Sequence, residues 1–244
     1  MESGMAFSVS DPAQVHVAAD EKDFVTKALE YIVARAETSV EEHGVFIWAL
    51  SGGTTPAPVY ARLQNVPSFP WEQTVFLWTD ERCVPPEHPD SNYGMALRFM
   101  PNLQRGKVLR IEGEYPAKQA AERYHEVLNS AIPQEHGLPV IDLVLLGVGE
   151  DGHTASLFPG TEYLASTGKN TLVHTAGTQH ARVSLSLPVI NNAETCVFLA
   201  TGPAKEDIVR EILLQRADVP ARHVRPKNGT LVWIVKEMDP LGEQ

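Results

Sequence analysis

An acid and an imidazole stand two residues apart in Asp151-Gly152-His153. A carboxylate beside an imidazole fixes the ring's tautomer and raises its basicity, which makes a general base at neutral pH. On a helix, side chains at this spacing diverge; across a glycine-bearing loop they can meet. Of the nine histidines in the chain, His153 is singled out by that acidic neighbour and by its place after a buried strand. No nucleophilic serine is indicated, because no G-x-S-x-G elbow occurs and Ser156 lies too close in sequence for a relaxed triad. No second histidine stands three or four residues beyond His153, so no metal is expected there.

Anion chemistry is the second theme. Ser51-Gly52-Gly53-Thr54-Thr55-Pro56 combines two glycines with three hydroxyls and a proline suited to the first helical position. With Thr55 as the expected N-cap, this reads either as a phosphate-binding turn or as a plain strand-to-helix connection. Asp80-Glu81-Arg82 puts three charges at the mouth of an apolar strand. There Arg82 could clamp an anion and Asp80 could orient a ligand or handle a proton, or the two could simply pair and fix the loop. Arg182 and Lys205 also sit at element junctions; each alone reads as a surface charge, and together they could neutralise one phosphate from several sides.

The elements that must carry these residues follow from hydropathy. Val45–Leu50, Thr74–Asp80 and Ile141–Gly147 are apolar runs without alternation, as expected of strands covered on both faces of a parallel sheet. Further strands are expected at Thr171–His174, Ala181–Leu187, Thr195–Ala200 and Leu231–Val235. Helical spacing marks Glu21 to about Glu42, Ser91–Met100, Pro116–Ala131 and Lys205–Leu214. Strands alternating with helices predict an α/β fold with a mostly parallel sheet, whose ligands gather beyond the carboxyl ends of the strands. Gly147-Val148-Gly149-Glu150-Asp151-Gly152 spells G-x-G-x-x-G after a strand, but Pro159-Gly160 forbids the long helix a dinucleotide site needs. No acid ends the next strand to hold a ribose, so no cofactor is expected.

The chain has 244 residues, without repeats or a long linker, and residues 1–244 are expected to form one domain. Its formal charge of −11 disfavours nucleic acid and anionic membranes as partners. The two cysteines, Cys83 and Cys196, suit a reducing cytoplasm and offer no zinc spacing. No apolar run reaches membrane-spanning length, and the first residues show no secretory leader pattern. Asn228-Gly229-Thr230 matches a glycosylation sequon formally but reads better as a turn.

The segments SGGTTP, WTDERCVPPEHPDSNYGM, LLGVGEDGHTASLFPG, ARVSLSLPVINNA and TGPAK occur in the order found in 6-phosphogluconolactonases, and VRPKNGTLVW resembles that family's ending. The resemblance covers about Val45 to Trp233. It implies a Rossmann-like, doubly wound sheet with helices on both faces, shared with glucosamine-6-phosphate deaminases. It also implies hydrolysis of 6-phospho-D-glucono-1,5-lactone to 6-phospho-D-gluconate, the second step of the oxidative pentose phosphate pathway, without metal or organic cofactor. Carried over by position, Ser51, Gly52, Gly53, Thr54, Thr55, Arg182 and Lys205 would hold the substrate phosphate. Arg82 would lie near the phosphate or the lactone carbonyl, Asp80 would belong to the substrate site, and His153, oriented by Asp151, would be the base. The deaminases carry an aromatic residue where Arg82 stands, and a glutamate where Phe158 stands, so a deaminase-like isomerase is the weaker alternative. A non-catalytic sugar-phosphate sensor is the other. The expected partner is a phosphorylated sugar lactone, bound by a cytoplasmic monomer or small homo-oligomer.

Overall fold

The computed structural model describes residues 13–162, 170–227 and 229–241. The first twelve residues and Asn228 of the sequon lie outside that set. The chain opens with β1 (Gln14–Ala18), α1 (Glu21–His43), β2 (Phe46–Leu50), α2 (Ala57–Leu63), β3 (Thr74–Trp78) and β4 (Asp80–Arg82). Then come α3 (Asn92–Phe99), β5 (Lys107–Val108), α4 (Ala117–Ala131), a small hairpin of β6 (Gln134–Glu135) and β7 (Leu138–Pro139), and β8 (Leu143–Gly147). The remainder is β9 (Thr171–His174), β10 (Arg182–Leu185), α5 (Leu187–Ile190), β11 (Thr195–Thr201), α6 (Glu206–Leu213) and β12 (Thr230–Lys236).

Seven strands pair in parallel in the order β1-β12-β11-β8-β2-β3-β5. All five residues of β2 and of β3 are buried, so both faces of the sheet are covered there, as their unbroken apolar runs predict. From β2 the order proceeds through β3 and β5 to one edge, and from β8 through β11 and β12 towards the other. The order therefore reverses between β2 and β8, and the crevice beyond their carboxyl ends is the place where α/β sheets bind ligands.

Helix α1 is specified at both ends. Asp20 accepts the Asp23 N–H at 2.8 Å, and Gly44, at φ 82°, donates its N–H to Val40. Its buried stripe is Phe24, Ala28, Ile32 and Ala36. Two buried tyrosines fix the strand ends that face the crevice. The Tyr60 hydroxyl donates to the Ser51 carbonyl (2.8 Å) and accepts the Ser51 N–H (3.1 Å). Tyr124 does the same for Trp78, with both contacts at 3.0 Å.

Two expectations need correction, and one strand was not anticipated. The run Thr74–Asp80 is not one strand: the chain leaves the main sheet after Trp78, and Asp80–Arg82 joins an antiparallel sheet ordered β4-β10-β9. Thr55 is not a helix N-cap; α2 begins two residues later behind Pro56 with no side-chain cap, and the Thr55 hydroxyl lies 3.5 Å from that of Thr201. The edge strand β1 has no counterpart in the sequence reading, because QVHVA is short, half-exposed and lacks a solid apolar run. No helix among the described residues is long and apolar enough to cross a membrane.

Candidate active site

A cleft of about 250 Å³ opens at the point where the strand order reverses. Its walls bring together Ser51, Gly52, Gly53, Thr54 and Thr55 after β2, Asp80 and Arg82 on β4, His153 after β8, Arg182 on β10 and Lys205 beyond β11. Residues spread over more than half of the sequence thus converge on one space. Of the expected set, only Asp151 is missing from the wall, and it acts on the cleft through His153.

The loop after β8 is folded tightly around the dyad. Gly149 donates its N–H to the His153 carbonyl, and Gly152, at φ 80°, donates to the Gly149 carbonyl, both at 2.9 Å. Asp151 Oδ1 meets His153 Nδ1 at 2.6 Å and accepts the His153 backbone N–H at 3.1 Å. Burial raises the Asp151 carboxyl, but those two bonds from His153 outweigh it and hold the group below its ordinary range. A carboxylate on Nδ1 places the proton of the neutral ring there and leaves the Nε2 lone pair available. The ring is also held flat: Phe158 stacks on it at 4.7 Å, and His174 stacks on Phe158 at 4.2 Å.

The cationic half is built by strand register. Arg182 and Arg82 are direct cross-strand partners in the β4–β10 pair. Like charges in that arrangement repel unless something anionic lies between or beside them. Asp80 offsets part of this charge, at 3.8 Å from Arg182 Nη1. Both Asp80 oxygens are already engaged, one by the Ser156 hydroxyl (2.6 Å) and the other by the Asn92 amide (3.1 Å). This geometry fits a loop-fixing role for Asp80 better than direct ligand handling. Arg82 donates to the Asp90 carbonyl at 2.6 Å, and neither Arg82 Nε nor Arg182 Nε has a partner among the described residues. Burial lowers the Arg182 guanidinium, Asp80 counteracts this, and Arg82 adds to it.

Lys205 has no ion-pair partner within 4 Å among the described residues. Burial lowers its ammonium below the ordinary lysine value, with Glu150 partly opposing the shift. The amides of Gly52, Gly53, Thr54 and Thr55 donate no hydrogen bond within the described residues, whereas that of Ser51 is taken by Tyr60. Helix α2 spans only seven residues, so its macrodipole is small and the loop amides and hydroxyls carry any anion affinity here.

Glu81 turns away from the cleft. Its carboxylate accepts the N–H groups of Arg82, Asn92 and Tyr93 and the Ser91 hydroxyl, which locks β4 to the start of α3. Burial pushes it up to about 7, against those backbone donors. Asn92 is a polar wall residue that sequence reasoning missed. It donates to the Asp80 carbonyl and carboxylate, and a Cβ on Gly52 would come within 1.8 Å of its Oδ1. The available signal was Ser91 as an N-cap followed at once by an amide.

A family model described as glucosamine-6-phosphate isomerases/6-phosphogluconolactonase matches residues 19–233. The 6-phosphogluconolactonase of Synechocystis sp. is 35% identical, over 92% of this chain and 95% of its own length. That of Rattus norvegicus is 34% identical, over 93% of this chain and 92% of its own. Among solved structures, the 6-phosphogluconolactonase of Trypanosoma brucei superposes with a TM-score of 0.85 at 30% identity, covering 94% of this chain and 97% of that one.

Proposed function

The chain belongs to the glucosamine-6-phosphate isomerase/6-phosphogluconolactonase family, and from that premise we propose how it hydrolyses 6-phospho-D-glucono-1,5-lactone to 6-phospho-D-gluconate in the oxidative pentose phosphate pathway. The phosphate lies against Ser51 to Thr55, Arg182 and Lys205, with Asp80 holding Arg182 in place. This anchor aligns the lactone carbonyl with His153 at the other end of the cleft. His153 Nε2 takes a proton from a water poised over C1, and Asp151 stabilises the imidazolium that results. The tetrahedral oxyanion is met by a fixed donor, Arg82 or a loop amide. The imidazolium then returns its proton to the departing ring oxygen, so the ester opens and the base is regenerated. Substrate positioning and one base meet a modest demand, because a sugar lactone opens slowly in water unaided.

The observation that carries this reading is the cross-strand pairing of Arg82 with Arg182, beside a Lys205 without an ion pair among the described residues, in the cleft lined by His153 with Asp151 behind it. Such a cluster of cations in a chain of charge −11 favours a small dianion. Phe158, stacked on the His153 ring, fills the position where the deaminase relatives would need an acid, which supports lactone hydrolysis over isomerisation. Free thiols at Cys83 and Cys196 fit a reducing compartment, and the large hydrophobic cluster shared by both halves of the chain supports one domain.

The deciding experiment follows 6-phosphogluconate formation from freshly generated lactone. Turnover well above the spontaneous rate is expected. A thermal shift with 6-phosphogluconate but no lactone consumption would indicate a sensor instead, and ammonia release from glucosamine 6-phosphate would indicate a deaminase.

Two anchoring variants have distinct signatures. Arg182→Ala removes hydrogen bonds to a charged group worth about 1.5–3 kcal/mol, so KM is expected to rise roughly 10- to 100-fold with a smaller change in kcat. An unchanged KM would remove Arg182 from the anchor. For Lys205 the readout is pH. Its lowered ammonium loses charge earlier than an ordinary lysine as pH rises, so 6-phosphogluconate affinity should weaken at moderately alkaline pH. Calorimetric titration of Lys205→Met should show weaker binding with that alkaline fall removed; an identical pH slope in both proteins would contradict the assignment.

A further inference from the structure

His88, Asp90 and His180 converge outside the cleft, although His180 is remote from the other two in sequence. Asp90 Oδ2 lies 3.2 Å from His180 Nε2 and 3.9 Å from His88 Nδ1. The two imidazoles meet edge to face with centroids 5.2 Å apart, and one donor atom from each of the three residues lies within 4.8 Å of the others. We propose that these three residues form a binding site for a divalent cation of the zinc class beside the reaction cleft.

Ligand chemistry selects the class. Two imidazoles and one carboxylate suit zinc, cobalt or nickel, whereas calcium and magnesium require mostly oxygen donors. Around a tetrahedral ion with bonds near 2.0–2.1 Å, neighbouring ligand atoms stand roughly 3.3 Å apart. One carboxylate–imidazole distance already matches this, and the second needs to close by little more than half an ångström. All three side chains are partly exposed, so an ion can reach them, and three protein ligands leave a fourth position open to solvent. Among the described residues two hydrogen bonds compete with an ion: the Asp90 N–H donated to His88 Nδ1 at 3.1 Å, and the bond between His180 Nε2 and Asp90 Oδ2 at 3.2 Å, which metal binding replaces.

The surrounding framework is fixed. The Asp90 carbonyl accepts from Arg82, and Cys83 donates its N–H to the carbonyl of Ala181, the residue after His180. An ion here would tie the loop before α3 to the start of β10, so that the backbones behind Arg82 and Arg182 are linked through it. The site shares no residue with the proposed dyad or phosphate anchor, and its failure would leave the lactonase reading untouched.

Titration of the metal-free full chain with Co²⁺ tests the site through visible d–d absorption. One saturable equivalent is expected, with affinity weakened at least about tenfold in His180→Ala and separately in His88→Ala, and unchanged in His153→Ala. The two histidine variants check each other against a folding defect. Absence of a saturable band, wild-type affinity in either histidine variant, or loss of the band in His153→Ala would each overturn the proposal, the last by locating the ion at the dyad.

Discussion

Replacing His153 with alanine is expected to lower kcat by about 10²–10⁴-fold, the usual worth of a positioned general base. Affinity for 6-phosphogluconate should stay within a few-fold of wild type, because the phosphate contacts lie on other elements. The melting temperature should also change little, since the ring is one-third exposed and lies in a loop, stacked on Phe158 and bonded to Asp151. Loss of turnover together with loss of product affinity would mean that the imidazole binds substrate rather than moving its proton. Activity retained within a few-fold would remove it from the chemistry.

The second large effect comes from a residue without a side chain. A Cβ at Gly149 would stand 2.2 Å from both Cε1 and Nδ1 of His153 and 2.7 Å from Asp151 Oδ1. Phe158 stacks against the ring and the Gly149–His153 backbone bond closes the loop, so the ring has little room to yield. Gly149→Ala should therefore displace the imidazole by an ångström or more, and misplacement on that scale can cost about 10²-fold in rate. The expected pattern is a kcat fall approaching that of His153→Ala with product affinity preserved. Wild-type kcat in a folded Gly149→Ala protein would show that the observed ring position is not the working one.

Much of the frame is legible locally. β2, β3 and β8 announce themselves as apolar runs, and their order relative to α1, α3 and α4 follows from helical spacing and punctuation by glycine and proline. The rule that ligands gather at strand ends then leads to Ser51–Thr55, Arg82, His153 and Lys205 without any knowledge of the pairing. What stays hidden is register. That Arg82 faces Arg182 depends on a non-local antiparallel pairing, invisible when Asp80–Arg82 reads as the tail of the preceding strand. The bonds by which Tyr60 and Tyr124 pin Ser51 and Trp78 join different elements that no local pattern links, and the stacking of His153, Phe158 and His174 crosses a loop whose path no periodicity encodes. Asn92 escaped for a related reason: its helix was evident, but the strand end it braces is ten or more residues away.

The most direct measurement is a crystal structure of the protein with 6-phosphogluconate bound. The phosphate should sit among the Gly52–Thr55 amides, Arg182 and Lys205, with the C1 carboxylate about 3 Å from His153 Nε2, within reach for proton transfer. A product bound the other way round, its phosphate against His153, or lodged outside this cleft altogether, would contradict it.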